Sequence, residues 1–128
     1  MLDKKTARPT DAEIEILRVL WKLGPSTVRQ VHETLSADKQ TSYNTTLKLL
    51  QIMNGKGLVL RDETQRPQIY RAAVPESCMQ QRLVTDLLRR AFGGSATKLV
   101  AALTSTDISD YELAEIKKLI ADVEEDER

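Results

Sequence analysis

The chain has 128 residues, 41% hydrophobic and only 4% aromatic. That suits one domain, or a small domain with an oligomerisation appendage, around a core of Leu, Ile and Val. No stretch approaches the roughly 18–20 apolar residues of a membrane span, so membrane insertion is not expected. The start from Met1 to Thr10 is polar and carries no apolar export segment. A single cysteine, Cys78, makes no internal disulfide and fits a reducing compartment, so a cytoplasmic protein is expected. Formal net charge is zero, but residues 1–75 hold 12 Lys/Arg against 8 Asp/Glu, and residues 76–128 hold 7 against 11. A basic half joined to an acidic half suggests one part that faces a polyanion and one with another task.

The first helix is signalled by Thr10 as N-cap with Glu13 three residues on, the capping-box pattern. Ile14, Leu17, Val19, Leu20 and Trp21 give it a broad apolar face. Gly24-Pro25 stops it, and Ser26 is expected to cap a second helix from about Thr27 to Leu35. There Val28, Val31 and Leu35 turn toward a core. A polar loop, SADKQ at 36–40, follows. Thr41 or Ser42 caps a third helix reaching about Asn54, with Leu47, Leu50 and Met53 inward, supported by Leu49 and Ile52. Asn44, Thr45, Lys48 and Gln51 fall on a different face. Gly55 or Gly57 ends this helix through a left-handed cap.

The period then changes. Leu58-Val59-Leu60 and the alternating Gln68 to Ala72 read as two strands around the charged tip RDETQRP, with Pro67 at an edge. Three helices and a hairpin make a winged helix-turn-helix. The fold is therefore expected to be mainly α, with the winged domain at 8–74 and helical residues 75–128 serving dimerisation. Pro75 opens a fourth helix carrying Met79, Leu83, Val84, Leu87, Leu88, Ala91 and Phe92, closed by Gly93-Gly94. A fifth, near Ala96 to Leu103, aligns Ala96, Leu99, Val100 and Leu103. Ser109 with Glu112 starts the last, which lines up Leu113, Ile116, Ile120 and Val123.

Catalysis finds little support. The chain has one His, His32, and one Cys, Cys78, with no metal-ligand spacing and no phosphate-binding glycine loop, so neither enzyme, metal nor cofactor is expected. The third helix is the informative element, because an α-helix fits the major groove and presents its first turns to base edges. Asn44 suits adenine, Thr45 a hydrogen bond or a thymine methyl, and Lys48 guanine or a phosphate. Ser42 and the amides beside it favour a phosphate. Gln51 lies one turn beyond Lys48. Arg61, Arg66 and Arg71 on the hairpin would position the duplex without reading it. The competing view is that these residues are the wetted side of an ordinary amphipathic helix. The C-terminal stripes, with Leu83, Leu87, Leu99, Leu103, Leu113, Ile116 and Ile120, fit pairing with a second copy. The alternatives are folding back onto the wing domain, or a winged helix that binds a partner protein.

The stretches TDAEIEILRVLWKLGPSTVRQVHETL at 10–35, YNTTLKLLQIMNGKGLV at 43–59 and RPQIYRAAVP at 66–75 resemble the penicillinase-repressor (BlaI/MecI/CopY) family, as does DISDYELAEIKKLI at 107–120 less closely. The resemblance implies a homodimer on a palindromic, double-stranded operator that represses by blocking transcription, with Asn44, Thr45 and Lys48 as base readers. It also implies a membrane-bound metalloprotease sensor that answers a β-lactam by cleaving the repressor, at a bond that falls at about Ala101-Ala102. Here the family's Asn-Phe cleavage pair is Ala-Ala. The C-terminal cysteine pairs of the copper-responsive branch are absent. Ile52 stands where many relatives carry Arg, so the resemblance implies that one phosphate contact is either missing or moved to Lys56.

Overall fold

The computed structural model describes residues 8–37 and 40–127. Its elements run α1 (Asp11–Leu23), β1 (Ser26–Thr27), α2 (Val28–Ser36), α3 (Tyr43–Lys56), β2 (Val59–Asp62), β3 (Ile69–Ala72), α4 (Glu76–Phe92), α5 (Ala96–Thr104) and α6 (Asp110–Asp126).

The capping signals resolve into specific bonds. Thr10 Oγ1 accepts from the Glu13 N–H at 3.2 Å, and Glu13 Oε1 accepts from the Thr10 N–H at 2.8 Å, so two amides with no partner inside the helix are satisfied reciprocally. At α2 the expected cap moves by one residue. Thr27, not Ser26, makes the box, with Gln30. Ser26 is needed elsewhere, because Ser26 and Thr27 form β1, paired antiparallel with Tyr70 and Ile69 of β3. The hairpin is thus part of a three-stranded sheet in the order β1-β3-β2. Val59 faces Ala72, Leu60 faces Arg71, Arg61 faces Tyr70 and Asp62 faces Ile69. A strand of two residues is too short to show alternation, so its existence depends on β3 offering a free edge.

The core of this unit gathers Ile16, Leu17 and Leu20 of α1, Val28 and Val31 of α2, Leu50 and Met53 of α3, and Leu58, Val59 and Tyr70 of the sheet region. Gly57 ends α3 at φ 80° and ψ 15°, a left-handed conformation that L side chains adopt at a cost. It turns the chain so that Leu58, whose N–H bonds Met53 O at 2.9 Å, is fully buried. Trp21 Nε1 donates to Val74 O at 3.0 Å, tying the end of the wing to α1.

By compactness the chain divides between Leu83 and Val84, inside α4. The physical reason is burial: Met79 is fully enclosed in the winged core, and Leu83 packs against it. Ile52, expected to support the inward stripe of α3, is instead 43% exposed. Buried in that helix is a polar residue, Thr46.

In the second unit, Ser95 and Ser109 cap α5 and α6 by accepting from the Lys98 and Glu112 N–H groups. No residue of either helix is buried. Leu99, Leu113 and Ile116 are half-buried, whereas Leu87, Leu103, Ile120 and Val123 are exposed. Among the described residues no helix is long and apolar enough to cross a membrane.

Candidate nucleic-acid interface

The site is built on the α2–turn–α3 pair. Ser42 is the N-cap of α3: its Oγ accepts from the Thr45 N–H at 3.1 Å and lies 2.8 Å from the Thr45 hydroxyl. One turn inward, the buried Thr46 hydroxyl reaches back to Ser42 O at 3.4 Å and lies 3.5 Å from a ring nitrogen of His32 on α2. The His32 ring also meets the Tyr43 ring edge-on, with centroids 5.8 Å apart. His32 is therefore the peg between the two helices. Its contacts with Thr46 and Tyr43 link α2 to the first turn of α3; no group of three or more His, Cys, Asp or Glu suited to a metal occurs among the described residues.

With α3 held from behind, its other side is free. Asn44, Thr45, Lys48 and Gln51 are all exposed, and the spacing of three and four residues stacks Asn44, Lys48 and Gln51 along one line. The side chains of Asn44, Lys48 and Gln51 have no hydrogen bond or ion pair with other described residues, so their donors and acceptors face outward unspent. The helix brings together every reading residue expected from sequence.

The remaining cations behave differently. Lys56, expected on a phosphate, is occupied: its Nζ lies 2.9 Å from both carboxylate oxygens of Glu13. Glu13 is buried and Lys56 one-third exposed, at side-chain exposures of 2% and 32%. Pairing with the lysine is what makes that buried carboxylate tolerable. Sequence reasoning missed this because the partners are 43 residues apart and Glu13 already had a local role in the capping box. Arg61 is drawn inward beside Tyr70, its partner across the hairpin, and its Nη2 bonds Glu63 Oε1 at 2.6 Å. The phenol, ahead of the nearby Glu63 carboxylate, favours the charged guanidinium and raises its pKa against the opposing effect of burial. Even so, Arg61 Nε and the Tyr70 hydroxyl find no well-aligned hydrogen-bond partner. Arg66 and Arg71 are exposed on the wing. Arg66 Nη1 makes one 3.3 Å bond to Glu63 O, and the Arg71 guanidinium makes none with described residues. At the tip, Asp62 accepts from the Thr64 hydroxyl at 2.6 Å, the Thr64 N–H at 2.9 Å and Gln65 at 3.1 Å. These bonds, the hydroxyl's foremost, hold its carboxyl below the ordinary range.

Of the residues expected to pair two copies, Leu83 is drawn into the winged core, and the others lie in the second unit. Ala101 and Ala102 are exposed within α5. Ala101 O accepts from Thr104 Oγ1 at 2.9 Å and Ser105 Oγ at 3.1 Å, and Ala102 O accepts from the Ser105 N–H at 3.2 Å.

A three-stranded wing beside a helix-turn-helix, with an unpartnered polar face on the second helix of that pair, defines a winged helix-turn-helix protein. The chain belongs to the penicillinase repressor family, whose model matches residues 9–122. It is 35% identical over 88 residues to the transcriptional regulator BlaI of Mycobacterium tuberculosis (strain CDC 1551 / Oshkosh), a match covering 68% of this chain and 64% of that protein. The chain thus spans just under two thirds of that relative's length. The penicillinase repressor of Bacillus licheniformis is 25% identical over 118 residues, covering 91% of this chain and 92% of that one. Among solved structures, the DNA binding domain of the repressor BlaI superposes with a TM-score of 0.51 at 26% identity, over 60% of this chain and 92% of that chain.

Proposed function

We propose that the chain is a homodimeric transcriptional repressor, acting in the cytoplasm, that seats α3 in the major groove of a palindromic operator and blocks transcription there. The observation that carries this reading is the free outward face of α3. Asn44, Thr45 and Lys48 offer the groups that pair with adenine, thymine and guanine edges, while the Ser42 cap and the His32–Thr46 link hold the helix rigid behind them. Arg66 and Arg71 on the wing take phosphates, and Ser42 with the first amides of α3 takes another. Lys56 leaves this set, because its ammonium serves Glu13.

Pairing is assigned to the second unit. Apolar side chains such as Leu103, Ile120 and Val123 stand 43%, 50% and 57% exposed in a single copy. A second copy is the natural cover, and it supplies the two-fold symmetry a palindrome requires. Relief of repression is assigned to the same unit, through a membrane-bound metalloprotease sensor cutting near Ala101-Ala102. That bond lies in a helix, so cleavage requires α5 to unwind first.

A salt titration of the full chain on duplex DNA tests the central claim. A base-reading repressor selects a two-fold sequence from random duplexes, and log affinity falls with log salt at about −0.9 per phosphate neutralised. Absence of salt-dependent duplex binding overturns it and leaves a protein-interaction module as the reading.

A further inference from the structure

We propose that the duplex-contacting face of α3 runs on into its last turn, where Ile52 meets a thymine methyl and Gly55 lets the sugar–phosphate backbone approach the helix. The inference rests on the repressor reading above and extends it to two residues that the core does not explain.

Ile52 lies one turn beyond Lys48 and two beyond Thr45, so it continues the reading face. It is 43% exposed and belongs neither to the buried core nor to the hydrophobics packed against it. A β-branched side chain in a helix is nearly confined to one rotamer, so little freedom is lost when it is covered. The apolar mark in the major groove is the C5-methyl of thymine. Ile52 is the exposed apolar side chain continuous with Asn44, Thr45, Lys48 and Gln51 on that face, the neighbouring Leu49 being packed against the core, and the methyl is its matching surface.

Gly55 lies one turn beyond Gln51 and two beyond Lys48. Glycine is the poorest helix former after proline, yet this one sits inside the helix with no left-handed backbone to justify it. A Cβ built there meets nothing within 4 Å. The contrast with Gly57, two residues on, is instructive, because Gly57 needs its φ of 80° to end the helix. Nothing in the folded chain requires Gly55, whereas a surface pressed against the end of α3 does. Its bare backbone is where a phosphodiester strand comes closest.

The experiment starts from an operator selected out of random duplexes by the full-length wild-type chain. Binding of wild type and Ile52→Ala is measured on that operator and on versions with each thymine replaced singly by deoxyuridine, which deletes one methyl. Wild type is expected to lose about fourfold at one thymine per half-site, the worth of one buried methyl. Ile52→Ala should bind both versions of that position alike. Gly55→Ala is expected to melt a few degrees higher, by helix propensity, and yet to bind the operator several-fold more weakly. The proposal is overturned if Ile52→Ala still senses the missing methyl, if Gly55→Ala melts lower, or if Gly55→Ala binds as wild type does. A wild-type chain that selects no sequence instead refutes the repressor reading itself, so the two failures are distinct.

Discussion

Lys56 Nζ sits 2.9 Å from both carboxylate oxygens of Glu13, joining the last turn of α3 to the first turn of α1. Removing the lysine strands a carboxylate that is 2% exposed. Lys56→Met should therefore cost about 2 kcal/mol, less than a fully enclosed pair because the lysine is partly wetted. Glu13→Gln with Lys56→Met should recover most of the loss in urea unfolding. The salt slope of DNA binding should be the same for Lys56→Met as for wild type, since no phosphate contact is lost. A slope shallower by about one would return Lys56 to the DNA.

The proposed function gives Asn44 a reading role and Arg66 a positioning one, and the two substitutions should differ. Asn44→Ala should relax preference at one base pair, at about 1–3 kcal/mol of discrimination. Arg66→Ala should weaken all duplexes alike and flatten the salt slope. Competition binding against single-base variants of the operator separates these outcomes.

Asp62 makes the wing tip sensitive to acid. Its folded pKa is lowered by the bonds from Thr64 and Gln65, so its contribution is fully present above the ordinary carboxylate pKa. That contribution is lost as pH falls through the lowered folded value. An NMR titration should show the Thr64 amide shifting with the Asp62 carboxyl in that acidic window, and Asp62→Asn should abolish the coupling.

Met79 lies beyond the wing in sequence but inside the winged core in space, with no exposed surface. Met79→Ala should destabilise that unit by about 2–4 kcal/mol through the cavity left behind. Thermal unfolding will show this, whereas a value near zero would remove Met79 from that core.

Ile120 tests pairing. Ile120→Asp places a charge where a second copy is expected to cover an apolar face, and sedimentation should show the dimer giving way to monomer. Affinity for a two-fold operator should fall much further than affinity for a half-site.

The sequence was most legible where causes are local. The Thr10/Glu13 box, the Ser42 cap, the glycine stop after α3 and the outward line of Asn44, Lys48 and Gln51 all follow from spacings within one or two turns. What escaped was set by distant neighbours. Glu13 looked like a cap and is also half of a buried ion pair. Ser26 looked like a cap and is a strand residue, because Tyr70 lies opposite it. Thr46 carried no signal in the sequence and is enclosed, with its hydroxyl beside the His32 ring. Ile52 looked like core and is exposed, because the α3 residues Leu50 and Met53 already fill the space behind the helix.

The hydrogen bond from Trp21 to Val74 O has an optical consequence. Trp21 is the chain's single tryptophan, and the bond places it wholly within the unit that ends at Leu83. Residues 84–128 hold no indole, and Tyr111 there is 73% exposed. Emission excited at the red edge of the indole band thus follows the melting of the winged unit alone, while far-ultraviolet circular dichroism sums both. The interval between the two curves measures directly how independently the unit ending at Leu83 and the unit beginning at Val84 hold together.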